Sequence, residues 1–378
     1  MANTLTGLIP HAYAALNVVS RELIGVIPAA SRDGTFDRAA VGQDVKIPVA
    51  PGANISDITP AMQVPDPTDQ EISSRVMKIQ KTRGAEFGYT GEETRQLNSG
   101  PGYLSVQAQQ ILEGMRGLTN EIELDAAKEA ALQSSRAYGT GGTVPFASDI
   151  SASAQIRKIL DDNGAPMTGR HMSISTSTGA NLRSLNILAK VNESGDQSLL
   201  RQGVLGNLHG SDYRETGFAY SHTGGDGTGY VLNGAASKGA TVIPVDTGTG
   251  SISAGDVVVF AGDTNKYVVA ESGLTGVNLT INAPGLRENI SDGATVTVQG
   301  DYDANVNFTS GSLMLATRLP DLPEEGDIAL DRFAIRDQRS GLVFEMSVYP
   351  GYRKNRYEIG CSWGVKGIKP EHSALLMG

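Results

Sequence analysis

The sequence predicts an α+β protein in which one long amphipathic helix follows a proline-interrupted β-hairpin and precedes a mixed region that carries a small all-β insertion. Three observations predict this. Apolar or small residues recur in steps of four and three over 103–137, a Pro-, Asp-, Gly- and Asn-rich stretch over 51–71 separates two strand-like runs, and valine-rich runs alternate with turn residues over 223–301.

At 378 residues the chain is long for a single core, so two or three lobes are expected. Hydrophobic residues make up 39% and charged residues 19%, which with a mean hydropathy of -0.18 describes a folded chain. No apolar run approaches the roughly 20 residues of a spanning helix. The opening stretch from Met1 to Pro10 has no Lys or Arg before its first apolar residues, lacks the basic part of a secretory signal, and reads as a cytoplasmic product. A single cysteine, Cys361, excludes an intrachain disulfide, and His11, His171, His209, His222 and His372 have no metal-ligand spacing. No cofactor or metal is expected. The net charge of -10 argues against a chain that coats phosphate backbones through a basic face.

From the N-terminus, Ala12, Leu16, Val19, Leu23 and Ile27 suit a short helix ending before Pro28, and 1–42 reads as an N-terminal arm. Region 43–92 reads as an extended hairpin, with a short strand over 45–49 and a longer return strand over 73–89. Pro60, Pro65 and Pro67 exclude ladder pairing between them. The tip is acidic (Asp57, Asp66, Asp69, Glu71) and the return strand basic (Lys78, Lys81, Arg83). Such a hairpin buries little of its own surface, and a neighbouring chain is its natural support. Asp57, Asp66, Asp69, Lys78, Lys81 and Arg83 are therefore candidate subunit contacts; a solvated surface loop is the plainer alternative.

The stripe Leu104, Ala108, Ile111, Met115, Leu118, Ile122, Ala126 and Ala130 predicts a helix over 103–137, about 50 Å long. A helix of that length with one apolar face needs a sheet along it. Region 93–147, with strands from 306–350, is expected to form that lobe. Helices are expected over 151–162, 178–190 and 197–208, with Asp149 and Asp196 as N-caps and Gly164 as a C-cap. Region 148–222, with 351–378, reads as a second lobe. Strands over 242–245, 257–260, 267–270, 277–281 and 294–299 predict a barrel-like insertion over 223–305, and 312–317, 333–337, 342–349 and 356–365 are strands that complete the interrupted structure.

Catalytic signatures are missing. The run Gly225-Asp226-Gly227-Thr228-Gly229 has neither phosphate-loop spacing nor a following helix, and reads as a flexible hinge into the insertion. No GxSxG, HExxH or CxxC occurs. Cys361, beside Trp363 in an apolar strand, reads as a small buried hydrophobe, and His171 and His209 as hydrogen-bonded structural residues. Arg353-Lys354-Asn355-Arg356 reads as a solvated turn or a subunit salt bridge rather than a nucleic-acid contact.

Three segments carry a family resemblance: Asn163-Gly164-Ala165-Pro166-Met167-Thr168-Gly169-Arg170-His171, Ser198-Leu199-Leu200-Arg201-Gln202-Gly203-Val204-Leu205-Gly206-Asn207-Leu208-His209-Gly210, and Ser362-Trp363-Gly364-Val365-Lys366-Gly367-Ile368-Lys369-Pro370-Glu371. Together they resemble the coat proteins of tailed phages, and most nearly the coat-protein family of the short-tailed Salmonella phages. The order of arm, hairpin, helix, mixed region, insertion and returning strands is similar to the Hong Kong ninety-seven capsid fold with an inserted domain. The resemblance implies an extended loop over a neighbouring subunit, a spine helix, an axial domain at capsomer centres, and a non-enzymatic major capsid protein. It further implies assembly in the bacterial host cytoplasm into pentamers and hexamers of an icosahedral head around double-stranded DNA. Implied partners are other copies of the chain, a scaffolding protein, a portal and a decoration protein, with DNA enclosed but not read. Arg201, inside the second segment, is a further candidate subunit contact. The competing classes are another phage or surface-layer assembly protein and a carbohydrate-binding or enzymatic protein that uses the insertion.

Overall fold

The computed structural model describes residues 9–19, 24–49, 73–97, 103–185, 205–272, 278–337 and 340–378. The hairpin tip, Asp196 and, of the helices expected over 178–190 and 197–208, residues 186–190 and 197–204 lie outside the described residues; the first helix stops at Ser184, and Asn207–Leu208 is a strand and not helix, paired with Ser211–Thr216. The fold is α+β, and two large sheets organise it.

Among the described residues the first sheet has six strands, ordered Ser31–Ala39, Leu313–Pro320, Lys354–Gly367, Val343–Gly351 and Asp331–Arg336, with Lys81–Thr90 also paired to Lys354–Gly367. The helix Tyr103–Leu132 crosses one face. Its 30 residues span about 45 Å. Ile111, Met115, Leu118, Ile122, Ala126 and Ala130 are buried with Phe344, Met346, Val348, Ile359, Trp363 and Val365 in one core. The period of two along the strands meets the period of 3.6 along the helix, so a single apolar layer forms between them. The helix Ile9–Val19 packs on the long helix through Ala12, Ala15, Leu16 and Val19.

Several sequence expectations are corrected here. The arm assigned to 1–42 contains the strand Ser31–Ala39, paired in parallel with Leu313–Pro320. It has one ladder neighbour and only a polar alternation (Ser31, Arg32, Asp33, Thr35), so hydropathy gave it no signature. The return strand expected over 73–89 is two strands. Ser73–Lys78 pairs with Asp44–Val49, and Lys81–Thr90 joins the large sheet. They part at Ile79 and Gln80, whose amides donate to Gln43 O and Trp363 O respectively. The long helix stops at Leu132 and not at 137: Ser134 Oγ donates back to Ala130 O, and Arg136–Tyr138 becomes a strand parallel to Ser373–Met377.

The second sheet has ten strands among the described residues. Its central path runs from Val296–Val298 through Val257–Phe260, Lys266–Val268, Arg136–Tyr138, Ser373–Met377, Tyr302–Thr309, Arg170–Ser175 and Ser211–Thr216. The expected boundaries shift accordingly. Tyr302–Thr309 pairs with Arg170–Ser175, while Lys354–Gly367 belongs to the other sheet, so only Ser373–Met377 of the C-terminal region joins the lobe of 148–222. An apolar alternating strand shows that it is covered but not which strand is its neighbour. The insertion is likewise no separate barrel, because Lys266–Val268 pairs with Arg136–Tyr138 and continues the main sheet. A second sheet of Val231–Leu232, Val242–Asp246 and Asn278–Thr280 closes over it. Alternation serves both sides, since Val257 and Val268 face the main core and Val258, Phe260 and Tyr267 the insertion's own.

The helix Ser151–Asp162 falls where expected, but its N-cap position is Ile150, which makes no side-chain cap bond, and Asp149 stands one residue before it. Asp149 Oδ1 accepts from the Ser151 amide at 2.8 Å. Gly164, at φ +73°, lets its own amide reach Asp161 O and the Ala165 amide reach Leu160 O, the paired bonds of a left-handed C-terminal cap. Thr176–Ser184 begins two residues before the expected 178, with Ser175 Oγ accepting from the Thr178 amide.

Candidate assembly interface

The hairpin Asp44–Val49/Ser73–Lys78 pairs only with itself among the described residues. Its root is held by a small cluster: Ala39, Ile47, Met77, Ile79, Ala316 and Ile368. The outer face keeps Val76 44% exposed, and Lys46, Arg75 and Lys78 are exposed with it. The root is thus better anchored than composition suggested, with Val45 also packed against the cluster, while the outer face of the ladder at Lys46, Arg75, Val76 and Lys78 is exposed.

The candidate contacts separate into three groups. Lys78 lies opposite Asp44 in register and forms no ion pair with a described residue. Lys81 and Arg83 are engaged within their own chain. Lys81 Nζ is 3.0 Å from Glu121 and 2.9 Å from Asp125, and Arg83 Nε is 3.4 Å from Glu121. Burial lowers the Lys81 pKa, but the bonds to Asp125 and Glu121 outweigh it and raise it. These two cations fasten Lys81–Thr90 to the long helix, where Asp125 also accepts from Trp363 Nε1 at 2.9 Å. Asp57, Asp66, Asp69 and Arg201 lie outside the described residues.

Sequence reasoning missed Glu123. It is fully buried on the long helix, where Oε1 accepts from the Gly25 and Val26 amides at 2.7 and 2.8 Å and Oε2 from the Ile27 amide at 3.0 Å. Burial pushes its carboxyl pKa up against the pull of those bonds and of the Thr216 hydroxyl. The carboxylate thereby clasps 24–30 to the helix. Its one sequence signal was an acid bordering the apolar stripe, between Ile122 and Ala126.

The glycine run at 225–229 is packed and not a free hinge. A Cβ on Gly225 would come within 2.4 Å of Ser251 O, and Asp226 Oδ1 accepts from the Ser251 amide and hydroxyl. Buried Asp256 joins this corner to the core by accepting from the Gly225 and Ser253 amides and contacting His222 Nε2 at 2.7 Å. A cavity of about 430 Å³ is lined by Arg136, Lys158, Asp162, Asn265 and Lys266 among others. Arg136 is already bonded to Asn265, Asn163, Asp162 and Ile159 O, and Lys266 to Gly139 O, so the cavity wall is a structural polar junction.

The remaining titratable groups have structural surroundings. His171 Nε2 is 3.1 Å from Ser310 Oγ, with its pKa lowered chiefly by burial, and His209 Nδ1 is 2.9 Å from Ser153 Oγ. Cys361 is wholly buried, which pushes its thiol pKa up and away from a reactive thiolate. Among the described residues no cluster of three or more His, Cys, Asp or Glu is placed to hold a metal ion. Of the Arg353 to Arg356 cluster only Arg353 lies in the turn after Val343–Gly351; Lys354 to Arg356 open the next strand, where Arg356 pairs with Glu86.

Comparison of the sequence with protein-family models and with curated proteins gave no match. Among solved structures the chain is similar to one described as the capsid structure of the cyanophage P-SCSP1u, at 11% identity and a TM-score of 0.47, covering 92% of this chain and 86% of that one. It is similar to a virus-like particle from Pyrococcus furiosus at 9% identity and a TM-score of 0.46, covering 98% and 99%. It is also similar to the mature capsid of bacteriophage PhiM1 at 11% and 0.46, covering 93% and 85%.

Proposed function

We propose that this chain is a structural shell subunit and not an enzyme. In particular, it acts as the major capsid protein of a tailed phage, of the short-tailed branch named by its sequence resemblance. The reading concerns the same kind of assembly as the capsid and virus-like-particle structures named above, but one geometric observation carries it. A hairpin rooted in a small apolar cluster stands beside a sheet backed along its length by a helix; it pairs with no other strand among the described residues, and Lys46, Arg75, Val76 and Lys78 on its outer face are exposed. A marginal two-stranded ladder of this kind gains stability by lying on a neighbour.

The division of labour suits a closed shell. One sequence that makes both pentamers and hexamers needs a rigid body and a deformable arm, and the helix-backed sheet and the hairpin supply one each. Lys78 with Asp57, Asp66 and Asp69, and Arg201 in its own segment, are the proposed subunit contacts, while Lys81 and Arg83 serve first as anchors to the helix. Regions 148–222 and 373–378 would face capsomer centres and the insertion would brace them. The net charge of -10 suits a lining that repels duplex DNA and leaves it free for packaging. A scaffolding protein, portal and decoration protein are the proposed partners, with assembly in the host cytoplasm and residence in the virion.

Negative-stain microscopy of the purified full chain, alone and co-expressed with the genes that neighbour its own, tests this. Hollow closed shells are expected. Small soluble oligomers under every condition, holding a bound ligand, would overturn it.

A further inference from the structure

We propose that the cavity of about 430 Å³ beside Arg136 binds a phosphate dianion, free or as the end group of a small phosphate ester. Three elements meet there: the strand Arg136–Tyr138, the helix Ser151–Asp162 and the strand Lys266–Val268. A ligand in it would therefore join the lobe of 148–222 to the insertion. This goes beyond the shell-subunit reading and does not depend on it.

The charge of the cavity is opposite to that of the chain. Its lining has three cations, Arg136, Lys158 and Lys266, against one acid, Asp162, in a chain of net charge -10. Helical spacing builds one wall, because Gln155, Lys158, Ile159 and Asp162 stand three or four residues apart and share a face of Ser151–Asp162. Strand register builds the other, with Lys266 opposite Ala137 and Tyr267 opposite Arg136.

The chain compensates these cations unequally. Arg136 is 3% exposed, and its Nη groups bond to Asn265, Asn163, Asp162 and Ile159 O, so Asp162 and the helix C-terminus offset its charge. Its buried Nε has no hydrogen-bond partner. Lys158 forms no ion pair with any described residue, and Lys266 Nζ donates only to neutral oxygens, Gly139 O and Gln299 Oε1. Burial lowers the Lys266 pKa with no carboxylate opposing it, and lowers that of Arg136 ahead of the nearby Arg287 charge and against Asp162. A partly buried ammonium group without an anion is unfavourable, and two of them match the charge of one phosphate dianion. The cavity is larger than phosphate alone requires and falls within the range of small-molecule sites. Tyr138, in its lining and 38% exposed, supplies a ring for an organic portion. Duplex DNA suits it poorly, because the acidic chain around the cavity repels an extended phosphate backbone.

Isothermal titration calorimetry of the full chain in phosphate-free buffer tests this with inorganic phosphate, AMP and a short DNA duplex. Inorganic phosphate and AMP should each bind at one site per chain and raise the melting temperature. Lys158→Gln should weaken both by about tenfold. Its melting temperature without ligand should stay at the parent's, because Lys158 is exposed and unpaired among the described residues. Lys266→Gln should weaken binding similarly, whereas Arg157→Gln, next to Lys158 but outside the cavity lining, should leave it unchanged. AMP binding tighter than inorganic phosphate supports the proposal with a small ester as ligand, and the reverse order supports it with free phosphate. A parent that binds neither overturns it. Lysine variants that bind as the parent does, or an equal loss in Arg157→Gln, would show adventitious ion binding only and overturn it as well. A duplex that binds with the same lysine dependence while phosphate and AMP do not bind would assign the cations to nucleic acid, which also overturns the proposal.

Discussion

The strand Lys354–Gly367 and the hairpin Asp44–Val49/Ser73–Lys78 are both antiparallel ladder, yet they are held in place by different means. Lys354–Gly367 has pairing strands on both edges and the long helix across one face, and Tyr357, Ile359, Cys361, Trp363 and Val365 are all buried in the core. The hairpin has one ladder and a root cluster of six small or medium side chains. Apolar burial supplies most folding free energy, so the first region is fixed by its own chain and the second is left adjustable. A shell subunit needs both, and the contrast between them can be broken experimentally.

The largest expected effect comes from Trp363→Ala. The indole is wholly buried and its Nε1 donates to Asp125, so the change opens a cavity and leaves a carboxylate short of a donor. Urea unfolding should show a loss of about 3–5 kcal/mol. A loss under about 1 kcal/mol would mean that the helix-backed sheet is not the stable body.

Next, Glu123→Leu removes the acceptor of three buried amides and should cost about 2–3 kcal/mol. Glu123→Gln keeps the shape and cannot ionise. Because burial raises the Glu123 pKa above its ordinary 4.5, its contribution to stability is full below that value and declines as pH rises through the folded-state pKa. The Gln variant should lack that decline. Identical pH profiles for parent and Gln variant would show that the clasp is not titrating.

The smallest global effect should be that of Met77→Ala in the hairpin root. The unfolding free energy should fall by about 2 kcal/mol, the low end for a buried Met→Ala, since the cluster is small and can relax. Amide exchange in 44–49 and 73–78 should nonetheless quicken clearly, while amides of the long helix stay protected. Uniform acceleration across both regions would erase the contrast.

Those parts of the fold whose packing leaves a period were legible in the sequence. Ile111, Met115, Leu118 and Ile122 announced the long helix, and the valine runs announced the insertion's strands within a few residues. Ser31–Ala39 was invisible because an edge strand with polar residues has no apolar alternation. Arg136–Tyr138 was read as helix because three residues are too few to display a period of two against the stripe before them. The break at Ile79 and Gln80 depends on amides bonding to Gln43 and Trp363, which are distant in sequence. Glu123 was missed for a related reason: its partners are backbone amides, which carry no residue identity.

The most direct test of the central claim is deletion of 52–67 from the hairpin, followed by unfolding and microscopy on the same preparation. The deleted chain should unfold at the parent's urea midpoint and fail to form stable shells, because under the proposed function this segment is the part that a neighbouring copy would brace. Shells of normal size and yield from the deleted chain would contradict the account.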